Sequence, residues 1–403
     1  MSSAYVFYSS LKTVKIPVGS DSPYKSIIAL PNYNVFFGFP NGNWVLFDAN
    51  AEKVVKDGAL KGDYSKHLTL FRTPKAVDEK TILFANAADF KLQALNPITG
   101  EYDAGWQFDV PTLEGLPEEH RKNDTKVDVA FCHLEIHVLK STKIVGVLER
   151  KENAQGVLDF LISAFQHGKK ERLLQVSLAN QNKSMRFAPA NDKDTFVLFP
   201  ETQFDTFTYY ILNVNNAGEG LKQVTVNTKM DCTLSYLFPW KGENTVVFFG
   251  NPDEGGTPYQ VTHKLGSDSC DIVKMNCHIK EPFTILDNVM AADPEKGSVL
   301  LKDNNYKGNS VTVWNSTLNR VEFSREQPNR VNAISATDGS YFIEFQGSYE
   351  PEKNESIQFS FNRLVSKKMF LLHFLKQAKF QNKPLIDIHG KIDVLRDVAS
   401  MYQ

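Results

Sequence analysis

Apolar and polar positions along the chain follow the short periods of β-strands, and the apolar runs are brief. Seven of these runs are nearly continuous: 35–39 (VFFGF), 81–84 (TILF), 144–148 (IVGVL), 195–199 (TFVLF), 245–249 (TVVFF), 298–301 (SVLL) and 341–345 (YFIEF). A strand reads this way when both of its faces are covered. Residues 35–48 (VFFGFPNGNWVLFD) give the template for the segment after each run: a Pro-Asn-Gly turn, then a second strand ending in Phe47-Asp48. Asn-Gly between two apolar runs is a strong hairpin signal.

Large apolar residues close the equivalent strand at positions 47, 95, 165, 212, 265, 314 and 361, with spacings of 48, 70, 47, 53, 49 and 47 residues. Five of the six spacings sit near the roughly 40–50 residue period of β-propeller blades. The long one contains 109–126 (DVPTLEGLPEEHRKNDTK), a polar, proline-containing stretch expected to be an inserted loop. Further strands such as 171–178 and 220–226 come after the earlier anchors, whereas none comes after Phe361. Residues 11–18 (LKTVKIPV) supply a spare strand, which is expected to pair with 356–362 and so cover an otherwise open sheet edge.

The predicted fold class is therefore all-β: a seven-bladed β-propeller over 1–363, its last blade closed by the N-terminal strand. A β-sandwich with a second β-domain is the alternative, and regular spacing along the whole chain argues against it. The strand ends Phe47-Asp48, Leu95-Asn96 and Trp314-Asn315 resemble the third-strand end of WD-repeat propellers, where an aromatic residue packs between blades and an acid or amide opens the next turn. Neither the Gly-His nor the Trp-Asp dipeptide of that family occurs in this sequence, so no functional residue is carried over. The resemblance implies the fold and a role in protein binding.

Beyond Phe361 the period changes. Val365, Met369, Leu372 and Leu375 recur at helical spacing within 364–381, and Ile388, Ile392, Leu395, Val398 and Tyr402 form one face within 388–402. Residues 364–403 are thus expected to be a short α-helical extension. Ile392, Leu395 and Val398 are its candidate interaction residues.

Charge adds mainly exclusions. Lys plus Arg total 45 against 47 Asp plus Glu, a net charge of -2, which gives no electrostatic pull toward nucleic acid or anionic membrane. No run of apolar residues is long enough to insert in a membrane as a helix. Cys132, Cys232, Cys270 and Cys277 are too few for a disulfide scaffold, and the N-terminus lacks a secretion-signal pattern. The expected compartment is intracellular, cytoplasmic or nuclear.

Candidate chemistry is sparse. His133, Glu135 and His137 alternate, so a strand would present them on one face as a possible transition-metal set. The same alternation is expected of an exposed outer strand, and no metal or cofactor is assigned. Asp63, His67, Asp231 and Asp287 fall near blade entrances, where propeller hydrolases gather ionisable groups. No GxSxG, P-loop or GxGxxG motif occurs. The function expected is a non-enzymatic scaffold that binds protein partners in an intracellular complex; the alternative is a hydrolase with its site at the channel mouth.

Overall fold

The computed structural model describes residues 5–15, 17, 26–39, 41–60, 71–86, 91–109, 134–152, 157–181, 184–200, 206–227, 233–239, 244–251, 259–276, 289–293, 298–305, 308–315, 319–327, 331–336, 340–346 and 356–366. Among these residues the fold is all-β, with three single-turn 3-10 helices and no α-helix. No helix there is long and apolar enough to cross a membrane.

The strands fall into antiparallel sheets of consecutive elements, seven among the described residues. After β1 (Tyr5–Lys15), the first sheet holds β2 (Ser26–Ala29), β3 (Asn34–Gly38), β4 (Asn43–Asp48) and β5 (Lys53–Ala59). The second holds β6 (Phe71–Asp78), β7 (Thr81–Asn86) and β8 (Lys91–Asn96), with the short β9 (Glu101–Tyr102) and β10 (Phe108–Asp109) both paired to β8. The third holds β11 (Leu134–Leu139), β12 (Ile144–Glu152), β13 (Leu158–Gln166) and β14 (Arg172–Gln181). The fourth holds β15 (Met185–Pro189), β16 (Thr195–Pro200), β17 (Thr206–Asn213) and β18 (Lys222–Asn227). The fifth holds β19 (Thr233–Pro239), β20 (Thr245–Asn251), β21 (Tyr259–Lys264) and β22 (Cys270–Lys274). The sixth holds β23 (Val289–Asp293), β24 (Ser298–Asn305), β25 (Gly308–Asn315) and β26 (Arg320–Gln327). In the seventh, β27 (Val331–Ser335), β28 (Tyr341–Gln346) and β29 (Ser356–Ser366) are completed by β1.

The continuous apolar runs are the second strands of these sheets. Their two faces feed different cores. On β3, Phe36 packs with Ile82 and Phe84 of the second sheet, while Val35 and Phe37 pack with Tyr341, Ile343 and Phe359 of the seventh. On β7, Leu83 and Ala85 join Ile136 and Val147 of the third sheet. On β16, Phe196 and Leu198 face the third sheet, and Val197 and Phe199 face Val246 and Val261 of the fifth. Burial between sheets on both sides is why these runs lack polar alternation. Each fully buried side chain of this size contributes about 1.5–3 kcal/mol.

The strand ends behave as their sequence implies. Phe47, Leu95, Phe165, Leu212, Trp314 and Phe361 are buried. Asp48 Oδ1 accepts from the N–H groups of Asn50 and Ala51 at 2.9 and 2.8 Å, and Asn96 Oδ1 from those of Ile98 and Thr99 at 2.9 and 3.2 Å. An Asp or Asn there closes the turn with its own side chain, which an aliphatic residue cannot do.

The first strands touch one another from sheet to sheet: β2 with β6, β6 with β11, β11 with β15, β15 with β19, β23 with β27, and β27 with β2. The last of these joins the seventh sheet to the first. At that joint the Tyr341 hydroxyl reaches the carbonyl oxygens of Leu30 and Asn34, at 2.8 and 2.5 Å. The pairing expected between the N-terminal strand and β29 is present and longer than anticipated, running from Tyr5↔Ser366 to Lys15↔Ser356.

That length corrects one boundary. Leu364, Val365 and Ser366, expected to begin a helix, continue β29, because Phe7, Val6 and Tyr5 of β1 remain available to pair with them. The rest of the expected helical extension, with Ile392, Leu395 and Val398, lies outside the described residues. Of the expected inserted loop 109–126, Asp109 belongs to β10 and pairs with Lys91; residues 110–126 lie outside the described residues.

Candidate functional site

Charged side chains collect on the first strands of the second, third and fourth sheets. On β11 the alternation in Leu134-Glu135-Ile136-His137 splits the residues between two faces. Leu134 and Ile136 enter the core shared with the second sheet. Glu135 and His137 turn the other way, toward β15. This strand was expected to be an outer one from its polar alternation. It is instead a first strand in contact with both β6 and β15, and its polar face lies beside β15, partly open to solvent.

Glu135 is held from two directions. Its Oε1 lies 3.2 Å from Nη1 of Arg186, and its Oε2 accepts the backbone N–H of Phe187 at 3.1 Å. His137 Nε2 approaches Oε2 at 3.9 Å, longer than a hydrogen bond. The Phe187 ring meets the His137 ring edge-on, with centroids 5.9 Å apart. Gly146, the cross-strand partner of His137, makes this packing possible. A Cβ at Gly146 would come within 2.7 Å of the rings of Phe187 and Phe196. The missing side chain thus seats Phe187, whose N–H in turn holds Glu135.

Lys75 on β6, exposed to solvent, adds a charge that the group feels. Val77 packs against the third sheet and Ala76 against the first, so alternation puts Lys75 on the side of the third sheet. Solvent reaches Lys75, yet the surrounding protein lowers its pKa: burial is the main cause, Arg186 adds to it and Glu135 opposes it. Burial also lowers the pKa of His137, with Lys75 and Arg186 adding to the effect against Glu135, so the imidazole is held neutral. For Glu135, burial alone would raise the pKa. The neighbouring His137, the charge of Arg186 and the Phe187 N–H together outweigh it and hold the carboxyl below its ordinary value. The Glu135 and His137 side chains keep 24% and 22% of their surface open, which fits groups that are enclosed but wet.

Of the candidate metal set, Glu135 and His137 lie among the described residues and share one face of β11. A guanidinium sits against the Glu135 carboxylate, where it repels a cation. His133 lies outside the described residues, and among the described residues no three His, Cys, Asp or Glu side chains gather as a metal site. Asp63, His67, Asp231 and Asp287 also lie outside the described residues. Sequence reasoning passed over Lys75 and Arg186. The signal available was a charged residue between two apolar ones in Met185-Arg186-Phe187, which is ambiguous by itself.

A second histidine-centred group lies between the fourth and fifth sheets. His263 on β21 is fully buried. Its Nδ1 lies 3.1 Å from the Ser269 carbonyl, which can only accept, so Nδ1 carries the proton. Its Nε2 therefore accepts the Tyr209 hydroxyl, at 2.8 Å, and that oxygen accepts the Gly266 N–H at 3.1 Å. Burial lowers the His263 pKa against the Ser269 bond and pushes the Tyr209 hydroxyl up to about 12. Burial, with Asp271 adding to it, raises the neighbouring Cys270 thiol to about 11. These are neutral groups at neutral pH, joining two sheets. A third histidine, His167, bonds the Asp103 carboxylate at 3.0 Å and packs on Trp106 with ring centroids 5.2 Å apart, linking the second and third sheets.

No family model matches the chain, and no curated protein matches it in sequence.

Proposed function

We propose that the chain is a seven-bladed β-propeller serving as a non-enzymatic protein-interaction scaffold in an intracellular complex. The ring reading is supported by the first-strand contacts that return from β27 to β2, by the cores between successive sheets, and by β1 completing the seventh sheet. A single ring with all sheets edge-to-centre leaves the fourth strands on the outside.

The observation that carries the interaction role is where large apolar side chains remain exposed. Among the described residues they are Val54 and Val55 on β5, Ile272 and Val273 on β22, Val321 on β26, Leu11 on β1, Tyr102 on β9 and Ile98 in the turn before it. Apart from that turn residue and Tyr102, all are on outermost strands. Such strands offer unpaired backbone groups beside apolar side chains, the elements of partner binding by strand addition. The alternative, a hydrolase at the channel mouth, was based on Asp63, His67, Asp231 and Asp287, which lie outside the described residues; at the Glu135 and His137 cluster, the carboxylate is bound by Arg186 and the Phe187 N–H, which favours binding over proton transfer.

The test is co-purification with the wild-type chain and with a Val54→Lys, Val55→Lys variant of unchanged melting temperature. The scaffold role predicts a stoichiometric partner with the wild type that the variant loses. A wild-type chain that purifies alone contradicts the role. A partner retained by the variant removes the outer strand of the first sheet from it.

A further inference from the structure

Leucine and lysine stand in inverted places on β1. Leu11 is 66% exposed, and the adjacent Lys12 only 4%. Alternate residues of a strand share a face, so Ser10, Lys12 and Val14 form the inner one. They lie opposite Phe361, Phe359 and Ile357 of β29, which with Val14 belong to the core between the seventh and first sheets. A slip of β1 by one residue along β29 would turn its two faces over. Leu11 would enter that core in place of Val14, and Lys12 would return to water. Apolar burial therefore does not choose the register that is observed, and the burial of an ammonium ion counts against it.

The choice falls to Glu52, in the turn between β4 and β5. Its carboxylate pairs with the Lys12 ammonium across the joint between the two sheets, and the Phe361 ring centre lies 6.0 Å from the same nitrogen. Glu52 has a left-handed backbone, with φ at 56°. In the turns between third and fourth strands of the second to sixth sheets, that conformation falls to Gly100, Gly168, Gly220, Gly266 and Asn319. Those residue types adopt it at the least steric cost. A glutamate in their place gives up backbone energy and supplies the countercharge of Lys12. Asn50 of the same turn accepts Nη1 of Arg363 on β29 at 2.8 Å, and that guanidinium lies 5.3 Å from the Tyr33 ring centre. One turn of the first sheet thus holds both β1 and β29. We propose that the Lys12–Glu52 pair is a register lock for the strand that completes the seventh sheet. A slip by one residue carries Lys12 to the opposite face, and a slip by two moves it about 7 Å along the strand; either breaks the pair. Locked, β1 keeps Leu11 on the outer surface. The lock stands on this joint alone, whichever partner the outer surface takes.

NMR contacts between side chains of the full chain, labelled at methyl and phenylalanine groups, read the register directly. In the wild type the Val14 methyls should touch Ile357, their cross-strand partner, and the Leu11 methyls should touch neither Ile357 nor Phe359. Glu52→Gln keeps the shape of the side chain and removes its charge. It should abolish the Val14–Ile357 contact and create one between Leu11 and Phe359. Glu52→Gly should do the same, although its backbone suits the turn better. In the double variant Lys12→Met, Glu52→Gln the inner face carries no charge, and the Val14–Ile357 contact should return. The lock is overturned if Glu52→Gln leaves Val14 on Ile357, or if it shows neither contact because β1 has left the sheet or the chain has not folded. It is equally overturned if the double variant fails to recover the wild-type contact.

Discussion

Two joints between neighbouring sheets are each built around a histidine, and their construction is opposite. Between the fourth and fifth sheets, His263 is sealed from solvent and both ring nitrogens have neutral partners, the Tyr209 hydroxyl and the Ser269 carbonyl. Between the third and fourth sheets, His137 stands partly open among Lys75, Glu135 and Arg186, with its nearest carboxylate oxygen at 3.9 Å. Burial lowers the pKa of both rings, so the titration behaviour alone does not separate them. Their surroundings do. A closed neutral network aligns two sheets and has no capacity left for a ligand. The His137 group is charged and partly open, and aligns its strands through the Glu135–Arg186 pair and the Phe187 N–H instead.

The largest effect should come from removing the strand that completes the seventh sheet. Deleting residues 1–15 takes β1 from β29, exposes the edge of the seventh sheet and removes the buried Val14. The loss should be on the order of 3 kcal/mol or more, from apolar burial and the lost ladder together. A chain so shortened should melt several degrees lower or aggregate. If it stays soluble with an unchanged melting temperature, β1 is an appendage rather than the closing strand.

Next in size is Tyr209→Phe. It leaves His263 Nε2 and the Gly266 N–H without their shared partner inside the protein, costing about 1–3 kcal/mol. Chemical denaturation measures this directly. A neutral outcome would mean that the sealed joint is less closed than its distances indicate.

A smaller effect is expected from pH. Both histidines have folded-state pKa values below their ordinary value, so between that lowered value and about 6.5 the unfolded chain binds more protons. Their contribution to stability is present above about pH 6.5 and is lost as the pH falls, by the sign of proton linkage. The melting temperature should therefore decline from pH 7.5 to pH 5. At the alkaline end, Tyr209 is raised to about 12, so its contribution holds below about pH 10 and is lost as the pH climbs toward 12. A melting temperature that rises on acidification would contradict the neutral, buried state of both rings.

How much of the fold and of the cluster was legible in the sequence differs between strands for a physical reason. Second strands such as 35–39 and 195–199 are buried on both faces, and burial writes itself as an unbroken apolar run. Strand ends such as Phe47-Asp48 were legible because a packing residue and a turn-closing side chain must sit together. First strands were not. Leu134-Glu135-Ile136-His137 has the alternation of a half-exposed strand, and it is one; its polar side, however, meets Arg186 and Phe187 of β15, a neighbour that sequence alone cannot tell from open solvent. The cluster itself joins positions 75, 135, 137 and 186, which only the stacking of three sheets brings together. Leu364 to Ser366 read as helix because three residues carry no period, and their β-state depends on a partner strand more than three hundred positions away.

The contrast between the two joints can be read directly by tracking both imidazoles by NMR through a pH titration, in the wild type and in Lys75→Gln. The Lys75 charge lowers the His137 pKa, so its removal should raise the His137 midpoint while leaving that of His263 where it was. If the His137 midpoint does not move, or if both midpoints move together, the first strands do not share one charged space and the account of the cluster is wrong.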